Sequence, residues 1–345
     1  MRSVIPTQSS RAPGPVQTAV LLGAAGLIAS LLYVNAHQRR AERDHPPEGN
    51  FVDVDGVRLH YVAQGEGPAV VLLHGNGVTA TDFVQSGLLE RAAGTYRGIA
   101  FDRPGFGYSE RPDNNTWTPE RQARLLYQAL HQLGVERPIL VGHSWGTLVA
   151  LAMALEYPRY IRAIALVSGY YYPGARPDVP LMAAPALPGI GRLLRHTIAP
   201  VLGALLWRSF IARMFAPAPV PARFAGMPKW IALRPGQIGA SASETGMLVP
   251  AAQRLSARYG ELTMPVAIIA GTADQVIAPD AQAQRLHAAI AHSELILEPG
   301  VGHMAHYAAP ERIVEAIAQL EASLTPGGAN LRHGATVHQA PGVLH

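Results

Sequence analysis

The sequence predicts an α/β fold: a mostly parallel sheet with helices on both faces, a helical segment inserted into it, and an apolar N-terminal helix outside it. Three observations carry this. Short, continuous apolar runs are separated by turn residues; stretches with apolar spacing of three and four lie between them; and one long Pro-, Ala- and Leu-rich segment interrupts the alternation. At 345 residues and 48% hydrophobic content the chain can bury a large core together with an inserted cover.

Taken in order, residues 16–34 carry no charge and are followed by Arg39, Arg40 and Arg43. That length just suffices to cross a bilayer, and basic residues after the run suit a stop-transfer flank. The expectation is a transmembrane anchor with polar flanks over residues 1–44. A cleaved signal peptide, cut after Val34-Asn35-Ala36, is the competing reading. The linker His45-Pro46-Pro47-Glu48-Gly49 then reads as a domain boundary.

From residue 51 strands are expected at 51–54 and 57–62 around the hairpin signal Asp55-Gly56. Further strands are expected at 70–73, 98–101, 139–141, 163–167, 266–270 and 295–297, each apolar throughout as suits a strand covered on both faces. Helical spacing marks 119–133, 146–157 and 310–323. The core is therefore expected over residues 45–169 and 263–324. A helical lid is expected over 170–262. The tail 325–345, rich in Gly and His and without periodicity, is expected to be disordered.

Composition narrows the chemistry. There is no cysteine, which excludes disulfides, thiol nucleophiles and thiolate metal sites. Net charge is +4, yet no run of five basic residues occurs, so no nucleic-acid partner is expected. The segment 170–262 holds ten basic residues against Asp178, Glu244 and Glu261, and within it 193–215 mixes long apolar stretches with arginines and the pair Trp207 and Phe210, a composition suited to an interfacial helix. That mixture suits a lid resting on an anionic membrane surface.

Gly142-His143-Ser144-Trp145-Gly146 lies between an apolar run and a helical stretch. Small residues on either side permit a sharp turn that projects the hydroxyl of Ser144 from the sheet edge. A serine needs a base, and the base needs an orienting acid. His303, freed by Gly300 and Gly302 after the last strand, is the favoured base over His306, which falls in the first turn of a helix. Asp274 follows Ala270-Gly271-Thr272-Ala273 and is the acid. The loop His74-Gly75-Asn76-Gly77 can aim the backbone N–H of Asn76 at a developing oxyanion, with the N–H of Trp145 as second donor. Asp102 to Ser109 reads as a fold-specifying turn, with Asp102 satisfying turn N–H groups.

Together, His-Gly-x-Gly, Asp-Arg-Pro-Gly-x-Gly-x-Ser, Gly-x-Ser-x-Gly, the late Asp and Gly-His resemble the α/β-hydrolase family over roughly residues 50–322. The resemblance implies the α/β-hydrolase fold with a lid, and an oxyanion hole at Asn76 and Trp145. The pair Asn76 and Trp145 is also similar to the halide-holding positions of haloalkane dehalogenases. That subfamily, like the epoxide hydrolases, implies an aspartate where this chain has Ser144. The His-Gly loop lacks the Gly-Pro-Gly continuation of the carbon–carbon bond hydrolases. The expected activity is hydrolysis of a small apolar ester through an acyl-enzyme. An acyltransferase, a perhydrolase or a carbon–carbon bond hydrolase on the same triad are the alternatives, and a non-catalytic binding protein is the contrasting class. No metal or other cofactor is expected.

Overall fold

The computed structural model describes residues 14–113 and 116–324. Eight strands form one sheet: β1 (Asn50–Val54), β2 (Val57–Gln64), β3 (Ala69–Leu73), β4 (Arg97–Phe101), β5 (Ile139–His143), β6 (Ala163–Val167), β7 (Val266–Gly271) and β8 (Ser293–Glu298). Their order is β1-β2-β4-β3-β5-β6-β7-β8, antiparallel for β1–β2 and β2–β4 and parallel from β4 to β8. Asp55 and Gly56, both at positive φ, make the tight β1–β2 turn.

Strand side chains alternate between two cores. Val71, Leu73, Leu140, Leu166 and Ile268 face one apolar cluster, and Val70, Leu72, Val141, Val167 and Ile269 face the other. Both faces are covered, which is why these strands read as unbroken apolar runs. The helices Pro119–Gln132 and Trp145–Glu156 cover the first face, and Leu88–Ala93 and Pro310–Ser323 the second. Thr118 caps its helix by accepting the N–H of Arg121, with Pro119 in the first helical position.

Between β6 and β7 the chain forms a helical insertion whose longer helices are Ile198–Phe215 and Pro235–Ser256. Parts of the 170–262 segment pack as core. Tyr171 and Tyr172 donate their N–H groups to Oε1 of Gln282, and Leu248, Ala251, Ala252 and Leu255 join the first cluster. The arginines expected to face a membrane divide: Arg176, Arg234, Arg254 and Arg258 form salt bridges, whereas Arg192 and Arg208 form none among the described residues.

The N-terminal segment is one helix, Pro15–Asp44, long and apolar enough to cross a membrane by length and composition. It runs through the candidate cleavage position without a break. The expected disordered tail, 325–345, lies outside the described residues.

Candidate active site

Parallel strands all end on one edge, so the loops after β3, β5, β7 and β8 converge there. Ser144 sits between β5 and the helix Trp145–Glu156 at φ 51° and ψ −118°, a conformation that few side chains tolerate. The turn survives because its neighbours are glycines. A Cβ on Gly146 would lie 2.0 Å from the carbonyl oxygen of Leu73, and one on Gly142 2.7 Å from that of Gly146. Backbone N–H groups of the helix's first turn are left without intrahelical acceptors beside the serine.

The structure brings Ser144, His303 and Asp274 together. The hydroxyl of Ser144 lies 3.1 Å from Nε2 of His303, and Nδ1 of His303 lies 2.8 Å from Oδ2 of Asp274. A carboxylate only accepts, so the imidazole proton sits on Nδ1 and Nε2 faces the hydroxyl as acceptor. Asp274 is itself held by the N–H groups of Val276 and Ile277 on Oδ1, at 2.8 and 2.9 Å. His303 is buried and Ser144 half-buried.

The loop after β3 passes against the serine, since a Cβ on Gly75 would lie 3.2 Å from that of Ser144. The next residue, Asn76, sends its side-chain amide to the insertion, bonding the carbonyl of Ser241 and the hydroxyl of Thr245. Trp145 opens the helix, and its indole N–H is buried without an acceptor among the described residues. Beyond the His303 loop, Ile211, Phe215, Phe224, Met227, Met304 and Tyr307 form a third apolar cluster, with Val78 and Trp207 at its margin.

His306 goes elsewhere. Its Nε2 lies 2.7 Å from Oδ2 of Asp82, whose other oxygen accepts the hydroxyl of Tyr307 at 2.9 Å. Asp82, His143 and His306 converge within 4.8 Å, a donor set chemically able to hold a metal ion. Both oxygens of Asp82 are already engaged, and the group ties the helix Thr81–Gln85, β5 and the short helix Ala305–Ala308 together behind Ser144 and His303. Nε2 of His143 donates to the carbonyl of His303 itself at 3.2 Å. Burial, with His306 and His303 nearby, keeps His143 neutral, well below its ordinary range.

Two further buried groups escape a reading by motif. Arg103, inside the turn after β4, forms a bidentate pair with Glu244 of the insertion at 2.5 and 3.0 Å, both side chains wholly buried. The same guanidinium donates to the carbonyls of His74 and Gly75, clamping the loop beside Ser144. His74 donates from Nδ1 to the carbonyl of Gly75 and accepts the N–H of Arg103 at Nε2. Burial, and then the adjacent Arg103 charge, push its pKa down to about 3. Asp102 accepts the N–H groups of Ala80 and Tyr108 and pairs with His60. A cavity of about 480 Å³, lined in part by Arg111, Arg195 and Arg234, lies beside the N-terminal helix and lacks the serine.

The sequence matches a family model described as the alpha/beta hydrolase fold over residues 68–310. The chain belongs to the α/β-hydrolase family. Haloalkane dehalogenase 2 of Mycobacterium tuberculosis is 28% identical over 278 residues, covering 78% of this α/β-hydrolase and 93% of the relative. Among solved structures, the enol-lactonase of Burkholderia xenovorans LB400 aligns with a TM-score of 0.64 at 19% identity, over 79% of this chain and 99% of that one. A bacterial membrane phospholipase A aligns with a TM-score of 0.62 at 18% identity, over 91% and 97%. These two similarities show the fold.

Proposed function

We propose that this α/β-hydrolase cleaves carboxylic esters of apolar compounds through an acyl-enzyme on Ser144. The observation that carries the reading is the unbroken relay from the Ser144 hydroxyl through His303 to Asp274. Nε2 of His303 takes the hydroxyl proton as the oxygen attacks the ester carbonyl. The carbonyl oxygen becomes an oxyanion, held by the backbone N–H groups of Asn76 and Trp145. Each such donor contributes on the order of 10²–10³ in rate. Collapse of the tetrahedral intermediate expels the alcohol, which receives the proton from His303; water then repeats the sequence on the acyl-enzyme. Asp274 keeps the imidazole in the required tautomer throughout.

An apolar substrate is favoured by the Met304 and Phe215 cluster lying directly after His303. Displacement of a halide or opening of an epoxide is not favoured, because the resemblance to those enzymes implies an aspartate nucleophile and this chain has the hydroxyl of Ser144. We read residues 1–44 as an uncleaved anchor, supported by the burial of Val34 and by the salt bridge from Glu42 to Arg234. Fluorophosphonate labelling tests the chemistry: labelling of the native chain and its loss in Ser144→Ala is the expected result, and labelling that persists in the variant refutes the assignment. p-Nitrophenyl esters of graded chain length then test the preference for apolar acyl groups.

A further inference from the structure

The N-terminal helix is held by the insertion over its second half only. The hydroxyl of Ser30 donates to the carbonyl of Thr197 at 2.8 Å, the rings of Tyr33 and His37 pack on Trp230, and Glu42 pairs with Arg234. Residues 15–26 are exposed throughout. From Val16 to the contact at Ser30 is 14 helical steps, about 21 Å of helix at 1.5 Å per residue. The hydrocarbon core of a bilayer is about 30 Å thick. The free part of the helix is too short to cross it.

The shortfall is met by what lies beside the helix. Thr197 opens the helix Ile198–Phe215, which leaves Ile198, Leu202, Leu205 and Leu206 exposed, Leu205 at 76%. These positions recur at intervals of three and four and so form one face. Its basic residues, Arg208 and Arg213, come in the second half of the helix and are exposed. An apolar face beginning at the anchor and ending in arginines is the pattern of a segment set in the interface, where the apolar face sinks about 5–10 Å. The missing length, about 9 Å, falls within that depth.

We propose that the insertion is sunk into the bilayer beside the N-terminal helix, with the Leu202 and Leu205 face in hydrocarbon, so that an acyl-chain ester enters from the lipid phase. The immersion rests on the anchoring reading and is independent of the scissile bond. The absence of cysteine in the chain makes it directly measurable. In the full-length protein, Leu205→Cys and, as a reference, Glu136→Cys are labelled with nitrobenzoxadiazole. Glu136 is exposed in the loop before β5, at the opposite edge of the sheet.

The labelled proteins are reconstituted in phosphatidylcholine vesicles containing acyl-brominated lipid. Emission from position 205 should shift to the blue and be strongly quenched, while position 136 stays unquenched. Emission at 205 like that at 136 would overturn the proposal. A blue shift without quenching would also overturn it, by assigning the face to a second copy of the chain. Leu202→Glu combined with Leu205→Glu should lower hydrolysis of a vesicle-dissolved long-chain ester by roughly tenfold or more while sparing a soluble short-chain ester. Equal effects on the two esters would count against delivery from lipid. If the native protein hydrolyses neither ester, the ester reading fails, while the quenching result still decides immersion.

Discussion

Two buried histidine–aspartate pairs have their histidines three residues apart, and only one of them faces a hydroxyl. His303 with Asp274 and His306 with Asp82 have nearly equal separations, 2.8 and 2.7 Å, and both histidines are buried. The free nitrogen of His303 meets Ser144, whereas that of His306 has no partner among the described residues. Proximity to an acid therefore does not mark a base. What marks it is the group across the other ring nitrogen, and the backbone decides that: His303 leaves the loop toward the sheet edge, while His306 is already inside the short helix Ala305–Ala308.

The contrast can be broken at either pair. His303→Ala should reduce kcat/KM for a soluble ester by on the order of 10⁴-fold or more, with thermal unfolding little changed, because the triad acts as a unit. Steady-state kinetics on the purified variant check this. Glu244→Gln extends the comparison to a buried pair that touches no reacting group. It leaves the Arg103 charge uncompensated and should cost about 3–5 kcal/mol in stability by urea denaturation. Because Arg103 also clamps the His74 and Gly75 carbonyls, kcat should fall alongside it. His306→Ala should cost roughly 2–3 kcal/mol, since Asp82 stays buried with one donor fewer. Its activity per folded molecule should stay within the native range; a dead His306→Ala beside an active His303→Ala would reverse the two roles.

The smallest effect concerns pH. His74 has a pKa of about 3 in the folded protein and an ordinary value of 6.5. Below 6.5 the unfolded chain binds a proton that the native fold refuses, so this contribution to stability is complete above 6.5 and declines as pH falls toward 3. The decline approaches about 1.4 kcal/mol per pH unit. Denaturant titrations at pH 7 and pH 5 measure it. His74→Gln should flatten that part of the profile, and an unchanged slope would assign the acid sensitivity to other groups.

The central strands β5, β6 and β7 were legible because each is buried on both faces and therefore apolar without interruption. The turn that holds Ser144 was legible because its requirements are local: glycines on either side and a strand before a helix. Arg103 and Glu244 were not, because they stand 141 residues apart and each looks like an ordinary surface charge. Asp82 and His306, 224 apart, are hidden in the same way. The helix Ile198–Phe215 gave no period because exposed Leu202, Leu205 and Leu206 oppose buried Ile211 and Phe215. An apolar residue carries the same label whichever way it points.

The Arg103–Glu244 bridge also makes one helix of the cover over the site a fixed beam. The helix Pro235–Ser256 is bolted to the turn after β4 through Glu244, and its last turns are part of the core. The stretch between about residues 176 and 232 packs against that beam. The N-terminal helix grips this stretch at Thr197 and Trp230. A lateral pull on the N-terminal helix would thus reach the cover first, as a pull on a handle reaches a door.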